Sequence, residues 1–276
     1  MAWSWSWSWS WELDRSAGKA SPATGTRGQP VSFRGGVGIA LLVLATACGT
    51  SAPHDIAYDV EWFEEPQSAP VSREAIGSLM AEPWVDDIEV RIEAPGEDRM
   101  HATLGSCSDY FAVADQRPRP IHGATTHVIF QARALHCQAA RLAMAAQPAT
   151  ISHLRTLAFD EGLPDHLPWQ VAMIMSSSEH QQIARERPKA TWREALFSPL
   201  TTFSPCGTHC GVYAEPGQTQ SVWLLARGDF DGDGIEDVLL QSSDAAIGGS
   251  YQAVRMFVLT RRQPGARSEL VQEFDY

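Results

Sequence analysis

Nine residues near the C-terminal end leave the backbone few paths: Asp229-Phe-Asp-Gly-Asp-Gly-Ile-Glu-Asp237. Aspartates stand at loop positions one, three, five and nine, and Gly234 stands at position six. Asp-Gly pairs favour tight reversals. Two carboxylates ~4 Å apart repel by roughly 4 kcal/mol at an effective dielectric of ~20, so four on one turn need a counter-charge. Ca²⁺ takes about six to eight oxygen ligands, and glycine at position six permits the sharp bend around it. The spacing therefore predicts Asp229, Asp231, Asp233 and Asp237 as side-chain ligands, with the Ile235 carbonyl at position seven. The competing possibility is a solvated turn whose carboxylates splay into water.

The flanks read as strands, Val222–Ala226 before the loop and Val238–Leu240 after it. An EF-hand would carry a bidentate Glu at position 12, where this chain has Leu240. The run from Ala226 to Leu240 instead resembles the FG-GAP type of calcium hairpin found in the blades of integrin-α-like propellers. A propeller needs about four to eight blades, and one such loop is present. The resemblance thus implies a metal-binding hairpin and not a propeller. Arg227-Gly228-Asp229 also spells an adhesion tripeptide, but the ion would occupy Asp229.

The rest of the C-terminal region fits that hairpin. Gly211–Ala214, Gln220–Ala226, Ile235–Gln241, Tyr251–Thr260 and Leu270–Phe274 read as strands separated by turn clusters, which suggests an antiparallel meander. Upstream, Ser72–Met80 suggests a short helix, and Ile88–Glu93 alternates as a half-buried strand before a turn at Pro95-Gly96. Thr126–Ala145 reads as the main helix, with Thr126 as its cap and Pro148 beyond its end. Ser176 to Glu179 and Thr191 to Glu194 match the capping box, opening helices over 177–187 and 192–197. Helices first and strands last predict α+β: a helical N-terminal half packed on an antiparallel meander.

The first 70 residues differ from the body. Five of the ten tryptophans alternate with serine from Trp3 to Trp11. Residues 1–30 read as a low-complexity extension of the frame, with Val31 as an alternative start. From there Arg34, the apolar run Val37–Leu44 and the small residues Ala45-Thr46-Ala47 precede Cys48. This pattern fits an export signal and is too short to span a membrane. It resembles a bacterial lipobox, which implies that Cys48 is lipidated and becomes the mature N-terminus. Gly49 in place of Asp then points to the outer membrane of a Gram-negative host, facing the periplasm. Cleavage after Ala47 to give a soluble secreted protein is the other possibility. Residues 48–70 read as a tether and 71–276 as one α+β domain.

Export also frames the cysteines. Cys107, Cys137, Cys206 and Cys210 allow three disulfide connectivities, of which Cys107–Cys137 and Cys206–Cys210 are favoured. Cys206-Gly-Thr-His-Cys210 could alternatively bind metal, though it lacks a second ligand pair. The net charge is −12. Residues 1–47 hold four of the 21 basic and two of the 33 acidic groups, so the remainder is more acidic still. Nucleic acid needs a basic footprint and is a poor match.

Catalytic motifs are scarce: no Gly-x-Ser-x-Gly, His-Glu-x-x-His or phosphate loop occurs, and Ser-x-x-Lys appears only as Ser16-Ala-Gly-Lys19 inside the low-complexity stretch. His122, His127 and His136 near the main helix, and Asp165-His166 between prolines, are the remaining groups that could act in chemistry. The sequence therefore suggests a calcium-binding envelope lipoprotein with a structural or binding role, anchored in the membrane and open to a protein partner in the envelope. A secreted hydrolase acting on an envelope polymer and an acidic inhibitor of a basic envelope protein are the alternatives.

Overall fold

The computed structural model describes residues 57–63, 69–92, 100–196 and 198–274. All belong to one contact unit, Asp55–Tyr276. The Trp-Ser repeat, the export signal and Cys48 lie outside the described residues.

The organising element is a long hairpin. Strand β7 (Gln218–Gly228) enters the aspartate loop and β8 (Asp237–Ala246) leaves it. Along β8, Val238 and Leu240 enter one core while Leu239, between them, enters another. An unbroken apolar run of this kind is what a strand covered on both faces requires. On β7 a register shift between Leu224 and Ala226 serves the same end. Leu224 joins the first core, and Leu225 and Ala226 join the second.

The meander continues outward on both sides. On one side lie β9 (Gln252–Thr260) and β10 (Glu269–Phe274); on the other lie β6 (Cys210–Glu215) and β5 (Thr202–Gly207). The order is β10-β9-β8-β7-β6-β5, with antiparallel neighbours throughout. A short strand near the N-terminus, β1 (Glu61–Trp62), pairs with the loop end of β7, Glu61 opposite Arg227 and Trp62 opposite Ala226.

Each face of this sheet has its own cover. One receives the segment from Leu154 to Ala172 with Trp192 and Phe63. The other receives α1 (Arg73–Ala81) through Ile76 and α3 (Ala124–Ala145) through Leu135, Ala139, Ala140 and Ala143. The opposite flank of α3 presents Phe130, Ala134 and Cys137 to a third core. That core lies under a small sheet of β2 (Ile88–Ile92), β3 (Met100–Leu104) and β4 (Arg119–Pro120), with α2 (Cys107–Val113) beside it. The disulfide Cys107–Cys137 fastens α2 to α3 with Cα atoms 5.3 Å apart, and Cys206–Cys210 closes the β5–β6 turn at 5.0 Å. Both spans suit an unstrained bridge. Two short helices, α4 (Ser177–Glu186) and α5 (Trp192–Ala195), complete the fold; Thr191 and Glu194 form the full capping box on α5.

The architecture is α+β. Several elements differ from the sequence reading. The main helix begins two residues early: Gly123, not Thr126, occupies the N-cap, and no side chain caps that end. The strand expected at Ile88–Glu93 is β2, and three further short strands not legible in the sequence, β1, β3 and β4, stand with the helices in the N-terminal half. Residues 57–63 fall within the stretch read as a tether, yet Trp62 is fully buried and Phe63 nearly so. Strand β5 was masked by Pro205; it is an edge strand, where a missing N–H is tolerated.

Candidate metal centre

The loop between β7 and β8 is shaped by its own carboxylates. Asp229 accepts from the Gly232 N–H at 2.7 Å and the Gly234 N–H at 2.9 Å, one on each oxygen. Asp231 accepts from the Asp233 N–H at 3.1 Å, and Asp233 from the Ile235 N–H at 2.8 Å. Asp237 accepts from the Phe230 N–H at 2.9 Å across the mouth of the loop. Gly232 and Gly234 have φ of 83° and 82°, a conformation that glycine adopts without steric cost.

Asp229, Asp231 and Asp237 each offer a carboxylate oxygen, and these oxygens lie within 4.8 Å of one another. Among the described residues this is the one such group of side chains that could hold a metal ion. Asp229 is buried and Asp237 has no exposed surface at all. No group meets Asp237 Oδ1 at full hydrogen-bonding geometry; the Thr260 hydroxyl lies close enough to favour the charged form without completing a bond. Burial pushes the Asp237 carboxyl up to about 6, outweighing the Phe230 N–H and the Thr260 hydroxyl, which favour the charged form; Asp231 and Asp233 push it further up. A buried carboxylate with one vacant acceptor is costly unless a cation or donor meets it.

Asp233, the fourth expected ligand, lies outside that trio. Its Oδ2 is 2.6 Å from Nη1 of Arg262, which follows β9. Nη2 of the same guanidinium lies 3.8 Å from Asp231 Oδ2. Ile235 pairs with Ile151 in an isolated parallel bridge.

The loop is also stitched to two other segments. Asp229 and Gln147 exchange both backbone hydrogen bonds, at 2.9 Å each. The Gly234 carbonyl accepts from the Thr150 and Ile151 N–H groups, and the Glu236 N–H donates to the Ile151 carbonyl. Ala149 in turn exchanges two backbone bonds with Tyr58. Gly228 is pressed against Val60 and Ala146, each 3.2 Å from where a Cβ would stand. The loop thus sits where the end of α3, the N-terminal segment 57–63 and the hairpin meet.

Beneath it lies an ionic network the sequence did not suggest. Glu236, at loop position eight, is completely buried. Its Oε2 accepts from Ser152 Oγ at 2.6 Å, and its Oε1 lies 2.6 Å from Arg155 Nη2. Buried Arg227 approaches it at 3.6 Å and donates to the Leu154 carbonyl at 2.9 Å. Glu61 bonds Arg155 at 2.7 Å and faces Arg227 at 3.9 Å. These residues come from four separate parts of the chain, so no local motif could have revealed them.

The other groups singled out in the sequence stay apart. His122 is exposed and faces Glu89 at 3.3 Å; His127 is exposed on α3. His136 packs edge-on against Trp62, ring centres 5.1 Å apart. Asp165 pairs with Arg193 at 2.8 Å and not with its neighbour His166. A crevice beside Trp192, Tyr213, Glu215 and Gln220 is too narrow for a water molecule. No helix among the described residues is long and apolar enough to cross a membrane.

No family model matches the chain, and no curated protein or solved structure matches it.

Proposed function

We propose that this chain is a calcium-binding lipoprotein of the cell envelope in which the ion has a structural role. The observation that carries the reading is Asp237: a fully buried carboxylate with a vacant oxygen, grouped with Asp229 and Asp231 at the mouth of a hairpin. The donors are all oxygens, which suits Ca²⁺ better than thiolate- or imidazole-seeking metals. Asp231 and Asp233 would complete the shell with the Ile235 carbonyl. By holding the loop, the ion would also hold the Gln147–Ile151 segment and, through Ala149, the N-terminal segment at Tyr58.

The envelope location rests on the sequence pattern before Cys48. The lipidated cysteine would leave a short link between the membrane and residue 57. A domain tethered this way serves as a structural or binding module, and its excess of acid suits a basic protein partner in the envelope. The two disulfides agree with an oxidising compartment.

Melting of the full chain in millimolar calcium and in chelator tests the reading. A ligand at 100 times its Kd adds about 2.7 kcal/mol. A clear rise in melting temperature with calcium, absent in Asp229→Ala, is expected; identical curves would remove the structural role.

A further inference from the structure

Arg262 is the cation already present at this loop. Its Nη1 is 2.6 Å from Asp233 Oδ2 and its Nη2 is 3.8 Å from Asp231 Oδ2, while its Nε faces Glu269 at 3.6 Å. The guanidinium is half exposed and rides on the connection between β9 and β10, not on the hairpin. It neutralises the outer side of the loop. The inner side has no such partner: Asp237 is sealed from water and its Oδ1 makes no hydrogen bond. The loop is therefore divided between an outer carboxylate satisfied by arginine and an inner one that is not.

We propose that Arg262 sets the affinity of the site by competing with the metal ion for Asp233 and Asp231. The inference rests on the calcium reading above. Three carboxylates and one carbonyl fall short of the six to eight oxygens that Ca²⁺ takes, so Asp233 is the nearest further ligand. It can turn inward only by leaving the guanidinium, which does not lose its proton. Ion and guanidinium then repel, and Arg262 falls back on Glu269. The arginine is a positioning residue: it holds Asp233 outward until an ion arrives, and it makes weak occupancy of the site by monovalent ions less favourable.

Calcium titration calorimetry on the full chain, wild type beside Arg262→Gln, tests this. Exposed ion pairs are worth little individually and are screened by salt, so Arg262→Gln is expected to tighten the Kd by about three- to tenfold, less at high ionic strength. Tightening that vanishes when Asp233→Asn is added supports the competition. Equal affinities with normal binding overturn it while leaving the calcium site intact, as does weaker binding in Arg262→Gln, which would make the arginine a support. Binding by Arg262→Gln alone supports it strongly. Absence of binding by either protein removes both the competition and the calcium reading. If Arg262→Gln does not fold in chelator, Arg262→Lys keeps the charge without the fork and is expected to tighten binding by a smaller factor; no tightening there counts against the proposal.

Discussion

Glu236 Oε1 lies 2.6 Å from Arg155 Nη2, and the Glu236 side chain has no exposed surface. A carboxylate in that position is tolerable only because Arg155, Arg227 and Ser152 surround it. Removing one member of a buried pair leaves an uncompensated charge, at a cost of about 3–5 kcal/mol. Glu236→Gln is expected to destabilise the protein by about 3 kcal/mol, because buried Arg227 loses its closest counter-charge. Arg155→Ala should cost less, about 2 kcal/mol, because Arg227 and Ser152 still face the carboxylate and the vacated, one-third-exposed position admits water. Urea unfolding in chelator measures both; equal costs would mean that the network is not sealed from water.

Asp237 gives a prediction with two signs. In chelator, Asp237→Asn removes a charge held unfavourably by burial and by two neighbouring aspartates. Its amide oxygen can still accept from Phe230, and its amide N–H can meet Thr260 Oγ1. The variant should gain about 1–2 kcal/mol without calcium and lose most of the response to calcium. Thermal melts in the two conditions read both effects, and a variant less stable in chelator would contradict the burial argument.

How much of this was legible in the sequence follows from chain distance. The aspartate loop is local: its four aspartates, its glycines and its flanking strands occupy some 20 residues, so spacing alone located the candidate site. The meander was legible because its strands alternate or run apolar between turn clusters. Arg262 lies 29 residues beyond Asp233 and reaches it only because β9 runs back along β8. Glu61 and Arg155 are separated by 94 residues and meet through β1 pairing beside β7. Trp62 looked like part of a tether because nothing local shows that a two-residue strand completes a sheet. Helix α3 starts at Ala124 behind Gly123, which has no side chain to cap it, so nothing local marks the true start and Thr126 is a false cap signal inside the first turn.

His136 predicts an acid limb. The ring packs on Trp62, and burial, followed by the charge of Arg133, lowers its pKa from 6.5 to about 4. The folded state therefore favours the neutral ring, and the unfolded state binds more protons between those values. Stability from this site is complete above about pH 6.5 and falls as pH drops towards 4. The residue as a whole is half-buried, which limits the effect to about 1–2 kcal/mol. His136→Phe should flatten that part of the stability–pH curve relative to wild type; parallel curves would show that the histidine does not titrate differently on folding.

The disulfides should be unequal. Cys107–Cys137 spans 30 residues and Cys206–Cys210 spans four. On the chain-entropy model the first stabilises by about 3.5 kcal/mol and the second by about 2 kcal/mol. Paired Cys→Ala variants compared by urea unfolding check the order. A larger loss at the β5–β6 turn would point to native-state packing around His209, which sits between Phe63 and Phe159.

The central claim is that three convergent aspartates bind a divalent ion. Equilibrium dialysis of the full chain against calcium, with Asp229→Asn and Asp237→Asn alongside, tests it most directly. One calcium per chain, lost in both variants, is the expected result. No bound calcium at millimolar concentration, or binding that both variants retain, would contradict the account.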